Sequence, residues 1–215
     1  MYAEDGSGSF NWGGQAGFRR PPTDFYPHRL FLAKDNALAR RASNGTRGNC
    51  VTNKDDHSYL LEYTCRFVAK FKSTPFFSFT WFANPLFHDY TYALYGFDDE
   101  FATLFQWLES QQELLKRTIV ILVSDHGDRS SHFVRETYEG FLERSLPGLF
   151  IRFPEILQEM HPGLRLKETL QANARKLTTG FDVYHTLHHL LGLAGLLKTL
   201  TLNLRKRIAR AYSFQ

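Results

Sequence analysis

Asp125 and His126 are the residues of this 215-residue chain whose types and position point most directly to chemistry. They follow Thr118-Ile119-Val120-Ile121-Leu122-Val123, a β-branched apolar run. Such a run predicts a central parallel strand, and ligands gather beyond the C-terminal ends of parallel strands. A carboxylate beside an imidazole offers one oxygen and one nitrogen donor, a combination that suits zinc or manganese. Successive side chains of a continuing strand point to opposite faces, so Gly127 is expected to supply the turn that lets the two converge. Two donors cannot hold a catalytic metal, and further ligands must come from elsewhere. An Asp–His hydrogen-bonded turn with no metal is the alternative use of the same residues.

Other candidates are less specific. Asn84 and His88 follow a second apolar run, and His88 is either a second-metal or substrate ligand or a loop histidine without a role. Arg129 and Arg135 lie just past the Asp–His pair, where a guanidinium can take an anionic oxygen bidentately or stay a surface cation. His185 and His189 are four residues apart and share one helix face, a possible metal pair, with His188 beside them. Helix packing explains the same cluster. No nucleophile motif stands out: there is no Gly-x-Ser-x-Gly, no P-loop and no Cys-Pro-x-Arg.

The elements that must position these groups alternate in type. Residues 1–56 read as mostly irregular, with repeated Gly and Pro and a basic loop over Arg40–Gly48. Leu60, Tyr63, Thr64, Phe67, Val68 and Phe71 recur at helical spacing, Asp56 can cap that helix, and Pro75 stops it. Residues Phe76–Phe82 predict a short buried strand. A second helix is expected to start near Asp98-Asp99-Glu100, where acids suit the positive helix end, and to finish at Lys116-Arg117. Pro147–Ile151 predicts a third strand, and Phe181 to about Leu197 a third helix, with Thr178-Thr179 as its capping segment. Strands alternating with helices argue for an α/β fold.

Composition narrows the classes. Hydrophobic residues make up 43% and aromatics 15%, enough for a packed core. Lys and Arg number 26 against 22 Asp and Glu, a net charge of +4. Lys198, Arg205, Lys206, Arg207 and Arg210 sit in residues 198–215 without an acid, so residues 1–197 are close to neutral. A near-neutral body argues against nucleic acid as a partner. The basic tail could at most seek anionic lipid or glycan, and such tails are usually just solvated. No apolar stretch is long enough to span a membrane, and Tyr2-Ala3-Glu4-Asp5 has acids where a signal peptide needs bases. Asn44-Gly45-Thr46 is a glycosylation sequon, meaningful only in a secreted protein. Cys50 and Cys65 could pair in an oxidising compartment or remain free thiols.

The residues also carry a resemblance. Ser124-Asp125-His126-Gly127 after an apolar strand resembles the metal-binding signature of the alkaline phosphatase superfamily, which includes sulfatases and phosphodiesterases. A longer ordered string is more specific. It runs Ala3-Glu4-Asp5-Gly6, Gly17-Phe18-Arg19, Pro21-Pro22-Thr23-Asp24, and His57 with Tyr59-Leu60-Leu61 and Tyr63. It continues through Phe76-Phe77, His88-Asp89, Thr118–Ile121, Arg135-Glu136-Thr137, Gly140, Leu146-Pro147, Leu177-Thr178-Thr179 and Phe181-Asp182. From about Ala3 to Leu193 the string resembles one sulfatase-like branch of that superfamily, the domain of unknown function 229 family.

The resemblance implies a mostly parallel, alkaline-phosphatase-like sheet flanked by helices, within residues 1–197. It implies metal-dependent phosphate- or sulfate-ester hydrolysis, with Asp125 and His126 as ligands of a divalent ion (zinc, manganese or calcium). His88 and Arg129 are implied to contact the anionic ester. Asp182 and His185 match a helix that packs near the site. Where two-metal relatives often carry Asp, this chain has Asn84, a neutral and weaker ligand. The family's acidic ligand and nucleophile would stand before Ala3, so the domain is expected to be incomplete at its N-terminal side and inactive alone. A non-catalytic remnant or binding module of a truncated gene product is the alternative. The family implies the secretory pathway or the extracellular space.

Overall fold

The computed structural model describes residues 1–4, 18, 20–43, 50–51, 54–82, 92–129 and 131–193. Asn84, His88, the sequon, the basic tail and the expected helix end near Leu197 lie outside the described residues, as does the side chain of Cys50. The chain forms two compact units, residues 1–157 and 158–215, and each is described by itself.

The first unit mixes helices with short strands. In order it runs β1 (Tyr2–Glu4), α1 (His28–Ser43), β2 (Cys50–Val51), β3 (Lys54–Asp55), α2 (Asp56–Phe71) and β4 (Phe79–Trp81). It continues with α3 (Tyr92–Ser110), α4 (Gln112–Leu115), β5 (Val120–Val123), α5 (His132–Glu136), α6 (Tyr138–Ser145) and β6 (Leu149–Arg152), and enters α7 (Glu155–Met160).

The helix centred on Leu60 forms as its periodicity predicts. Its apolar stripe puts Leu60, Phe67 and Val68 in the core with Met1, Ala3, Phe31 and Leu114, while Arg66 and Lys70 face solvent. The chain leaves α2 through a turn in which the Thr74 amide donates to the Phe71 carbonyl at 2.9 Å, just before Pro75. Aromatic rings close the core around it. Phe67 meets Phe76 edge-on at 5.7 Å and Phe25 at 5.4 Å, orientations that suit the ring quadrupole. Leu60 has no exposed surface. Leu60→Ala is expected to cost about 2–5 kcal/mol, the range for a buried leucine that leaves a cavity, and chemical denaturation measures it.

Several elements differ from the sequence expectation. The first 56 residues include α1, a helix of 16 residues. The Gly- and Pro-rich flanks hide it, although residues 28–43 themselves contain neither breaker. Packing supplies what weak periodicity does not, since Phe31 and Lys34, one turn apart, are both buried. Helix α3 starts at Tyr92, six residues before the acids expected to begin it. Phe97 is the reason: it is buried against His57 at 4.2 Å, Phe101 at 4.3 Å and Phe82 at 5.2 Å, and the helix must extend past the acids to seat it. The strand expected over Phe76–Phe82 is shorter, Phe79–Trp81, and only half buried.

Strand pairing is the main correction. The strand before Asp125 was expected to be central and parallel. Instead β5 pairs antiparallel with β6, Val120 opposite Arg152 and Val123 opposite Leu149, and Leu122 and Val123 are partly exposed. A single crossover helix would return the chain to the far end of the sheet and give a parallel neighbour. Here two short helices, α5 and α6, go out and back, so β6 begins at the end where β5 stops. Parallel pairing does occur between β1 and β4, with Tyr2 opposite Phe79 and Glu4 opposite Trp81. A small antiparallel pair, β2–β3, precedes α2. The fold is thus mixed α/β, and its described sheets have two strands each.

Side-chain caps set the ends of α5 and α6. The Ser131 hydroxyl accepts from the Val134 amide at 3.4 Å, and the Thr137 hydroxyl from the Gly140 amide at 3.0 Å. Gly140 lets the two helices touch, because a Cβ there would lie 2.3 Å from the Phe133 carbonyl oxygen.

The second unit contains the end of α7, a short 3-10 turn (Pro162–Leu164), α8 (Leu166–Asn173) and α9 (Gly180–Leu193). Thr179 caps α9 as the sequence predicts. Its amide and hydroxyl both donate to Asp182 Oδ2, at 2.7 and 2.8 Å, and the Asp182 amide donates back to the Thr179 carbonyl at 3.0 Å. These bonds hold the Asp182 carboxyl below the usual carboxylate range. No helix among the described residues is long and apolar enough to cross a membrane.

Candidate functional site

The loop Ser124–Arg129 leaves β5 and enters α5, and it is pinned at both ends. The Ser124 amide donates to the Gly148 carbonyl at 3.0 Å, and the Gly148 amide donates to Ser124 Oγ at 2.8 Å. Three residues on, the Gly127 amide donates to the Arg144 carbonyl at 3.2 Å, tying the loop to the end of α6. Gly127 was expected to serve a turn. Its observed role is close approach: an added Cβ would lie 2.3 Å from the Glu143 carbonyl oxygen and 2.8 Å from its carbonyl carbon. Asp128 Oδ1 accepts from the Ser131 amide at 3.3 Å and joins the loop to the start of α5.

Between these pins sit Asp125 and His126. Asp125 Oδ1 accepts from the His126 amide at 2.8 Å, which orients the carboxylate. His126 Nδ1 lies 2.6 Å from the Gly127 carbonyl oxygen. A carbonyl only accepts, so Nδ1 carries the proton and the lone pair of the neutral ring is on Nε2. That nitrogen is 3.6 Å from Asp125 Oδ2. Two donors at Zn–N and Zn–O lengths of about 2.0–2.2 Å in a tetrahedral arrangement stand roughly 3.4 Å apart. The pair therefore has close to the spacing of adjacent ligands of one small divalent ion, and its backbone acceptor sets the tautomer that coordination needs. The side chains remain 61% and 31% exposed, respectively.

The other expected site residues are less gathered. Arg129 lies on the same loop and is exposed, and Arg135 is exposed in the last turn of α5. His88 lies outside the described residues. His185 belongs to the second unit. Among the described residues no three His, Cys, Asp or Glu side chains are assembled as a metal-binding group. Cys65 is a free, half-buried thiol, and burial raises its pKa.

Sequence reasoning gave no chemical role to two polar clusters that the fold buries. Glu4, 1% exposed, ends β1 and accepts from the Tyr2 hydroxyl at 2.8 Å. Burial and that carboxylate push the Tyr2 hydroxyl pKa well up. Glu4 gave no sequence signal, because residues 1–56 read as irregular and the parallel β1–β4 pairing that places it at a strand end is set by the fold. The second cluster joins α2 to α3. His57 Nε2 and Glu100 Oε2 are 3.1 Å apart without hydrogen-bond alignment, and Ser58 Oγ donates to Glu100 Oε1 at 2.7 Å. No local signal marks this pair, because its members are 43 positions apart and meet only through packing.

Comparison with known proteins adds one result. The family model described as Protein of unknown function (DUF229) matches residues 1–214. No curated protein and no solved structure matches the chain.

Proposed function

Because the chain belongs to the DUF229 family, we propose that it is part of a metal-dependent phosphate- or sulfate-ester hydrolase of the sulfatase-like, alkaline phosphatase type. The observation that carries this reading is the Asp125–His126 pair, with Oδ2 and Nε2 3.6 Å apart on a loop pinned to β6 and α6. Asp125 and His126 would hold a divalent ion, and Arg129 and His88 would meet the anionic oxygens of the ester. The parallel β1–β4 pair is the feature that supports an alkaline-phosphatase-like sheet; the antiparallel β5–β6 ribbon forms a separate sheet among the described residues. The same reading carries an expected location in the secretory pathway or outside the cell.

The residues of this chain divide the work as follows. The Gly127 carbonyl keeps the His126 proton on Nδ1, which would leave Nε2 as the nitrogen donor for a divalent ion. The Asp125 carboxylate supplies negative charge beside it. An ion held by Asp125 and His126 would supply Lewis-acid chemistry, polarising the ester oxygen. Arg129 would orient the ester through paired N–H donors. Covalent displacement also needs a nucleophile, and we assign none within this chain.

The test compares the chain alone with the longest polypeptide that contains it, against p-nitrophenyl phosphate, bis(p-nitrophenyl) phosphate and p-nitrophenyl sulfate. Zinc, manganese and calcium are each supplied. Turnover by the longer polypeptide is expected to depend on the metal and to fall by about 10²–10³-fold in Asp125→Asn, the scale of losing one electrostatic stabiliser of the transition state. The chain alone is expected to bind metal without turnover. Turnover indifferent to Asp125→Asn, or no turnover by either polypeptide with any metal, would overturn the reading in favour of a non-catalytic domain.

A further inference from the structure

The histidine run of α9 has no part in the proposed hydrolytic site, and the structure changes how it reads. Packing was the alternative explanation for His185, His188 and His189. All three are exposed, whereas Val183, Thr186, Leu187, Leu190 and Leu191 make up the less exposed side of the helix. These side chains are therefore available to solution ligands.

His185 and His189 are one turn apart on a regular helix that runs from Gly180 to Leu193. At that spacing Cβ atoms are about 5–6 Å apart on one face, which lets two imidazoles reach one ion at 2.0–2.1 Å. Tyr184 lies beside two of the rings, 5.5 Å from His185 and 4.4 Å from His188, and His188, four residues after Tyr184, shares its stripe rather than that of His185 and His189. Asp182 stands one turn before His185. Its carboxylate is fixed by Thr179 through Oδ2 and adds negative charge to the same end of the helix. Imidazole pairs select zinc, nickel and copper over hard ions such as magnesium and calcium.

We propose that His185 and His189 form a surface chelate for a divalent transition-metal ion of the zinc, nickel or copper class, with the remaining coordination positions open to water or an external donor. The site lies wholly within the second unit. It does not depend on the hydrolase reading, which concerns Asp125 and His126.

The experiment titrates the full chain with Zn2+ by calorimetry, in a background carrying Asp125→Asn and His126→Ala so that the other candidate site contributes nothing. One ion is expected to bind. His185→Ala and His189→Ala should each weaken it roughly a hundredfold, the low end of what two tethered ligands gain over one. His188→Ala should change affinity by no more than about twofold, as an uncoupled neighbour does. With Cu2+ in the same background, electron paramagnetic resonance should show two coordinating nitrogens, reduced to one in either weakened variant. Circular dichroism verifies that α9 persists, as expected for exposed side chains. No binding in this background, equal affinity in the three single variants and their parent, or a His188→Ala loss as large as that of His185→Ala would overturn the proposal.

Discussion

Gly127→Ala is expected to destabilise the first unit by about 3 kcal/mol, the upper part of the range for overpacking a close-packed position. The new methyl would sit 2.3 Å from the Glu143 carbonyl oxygen, 2.8 Å from its carbon and 3.1 Å from the Arg144 Cα. All three are backbone atoms, so no rotamer change relieves the overlap. The loop must lift from α6, and the Gly127–Arg144 hydrogen bond at 3.2 Å is lost with it, a further contribution on the order of 1 kcal/mol. Chemical denaturation measures the loss, and Gly148→Ala is the control within the same unit. A Cβ at Gly148 would meet the Phe150 ring at 3.5 Å, an ordinary contact, so its effect should stay below about 1 kcal/mol. Similar costs for the two alanines would show that close approach is not what Gly127 provides. Because the displaced loop also carries Asp125 and His126, metal affinity should fall in Gly127→Ala although neither donor has been touched.

The second large effect concerns those donors directly. Removing the His126 imidazole is expected to lower divalent-metal affinity at this loop by roughly a hundredfold, since it deletes one of two tethered ligands. Asp125→Asn keeps the size of the side chain but exchanges a charged oxygen for a neutral amide, a weaker ligand, and metal affinity is expected to fall in this variant too. The measurement belongs in a chain carrying His185→Ala and His189→Ala, so that α9 does not mask it. Imidazole NMR supplies a second readout: on adding Zn2+, the His126 ring signals should shift. In Arg129→Ala the metal affinity should be unchanged while sulfate or phosphate binding weakens. Unaltered affinity in both the Asp125 and His126 variants would remove the metal site from this loop and leave the hydrogen-bonded turn as its whole role.

The two effects separate what was legible from what was not. The place of Asp125 and His126 just past a strand was legible because a β-branched apolar run ends at Val123, with only Ser124 in between. Helix α2 was legible because Leu60, Tyr63, Phe67, Val68 and Phe71 repeat at helical spacing, and the Thr179 cap because Thr and Asp stand three residues apart before an apolar run. Helix α1 was obscured by its Gly- and Pro-rich surroundings. The start of α3 was misjudged because a local charge preference worth a few tenths of a kcal/mol yields to the burial of Phe97.

By itself the sequence determined the mixed α/β class, the family, helices α2 and α9, and the presence of an Asp–His pair just past the apolar run of β5. These follow from short-range patterns: side-chain periodicity, caps and chemical type at neighbouring positions. Only the tertiary structure decided that β5 pairs antiparallel with β6 and that Gly127 exists for contact with α6. It also decided that His57 meets Glu100 and that the α9 histidines face outward. Each of these depends on groups distant in sequence or on which face of an element finds a partner. That choice is made by packing and chain return, which leave no local periodic mark.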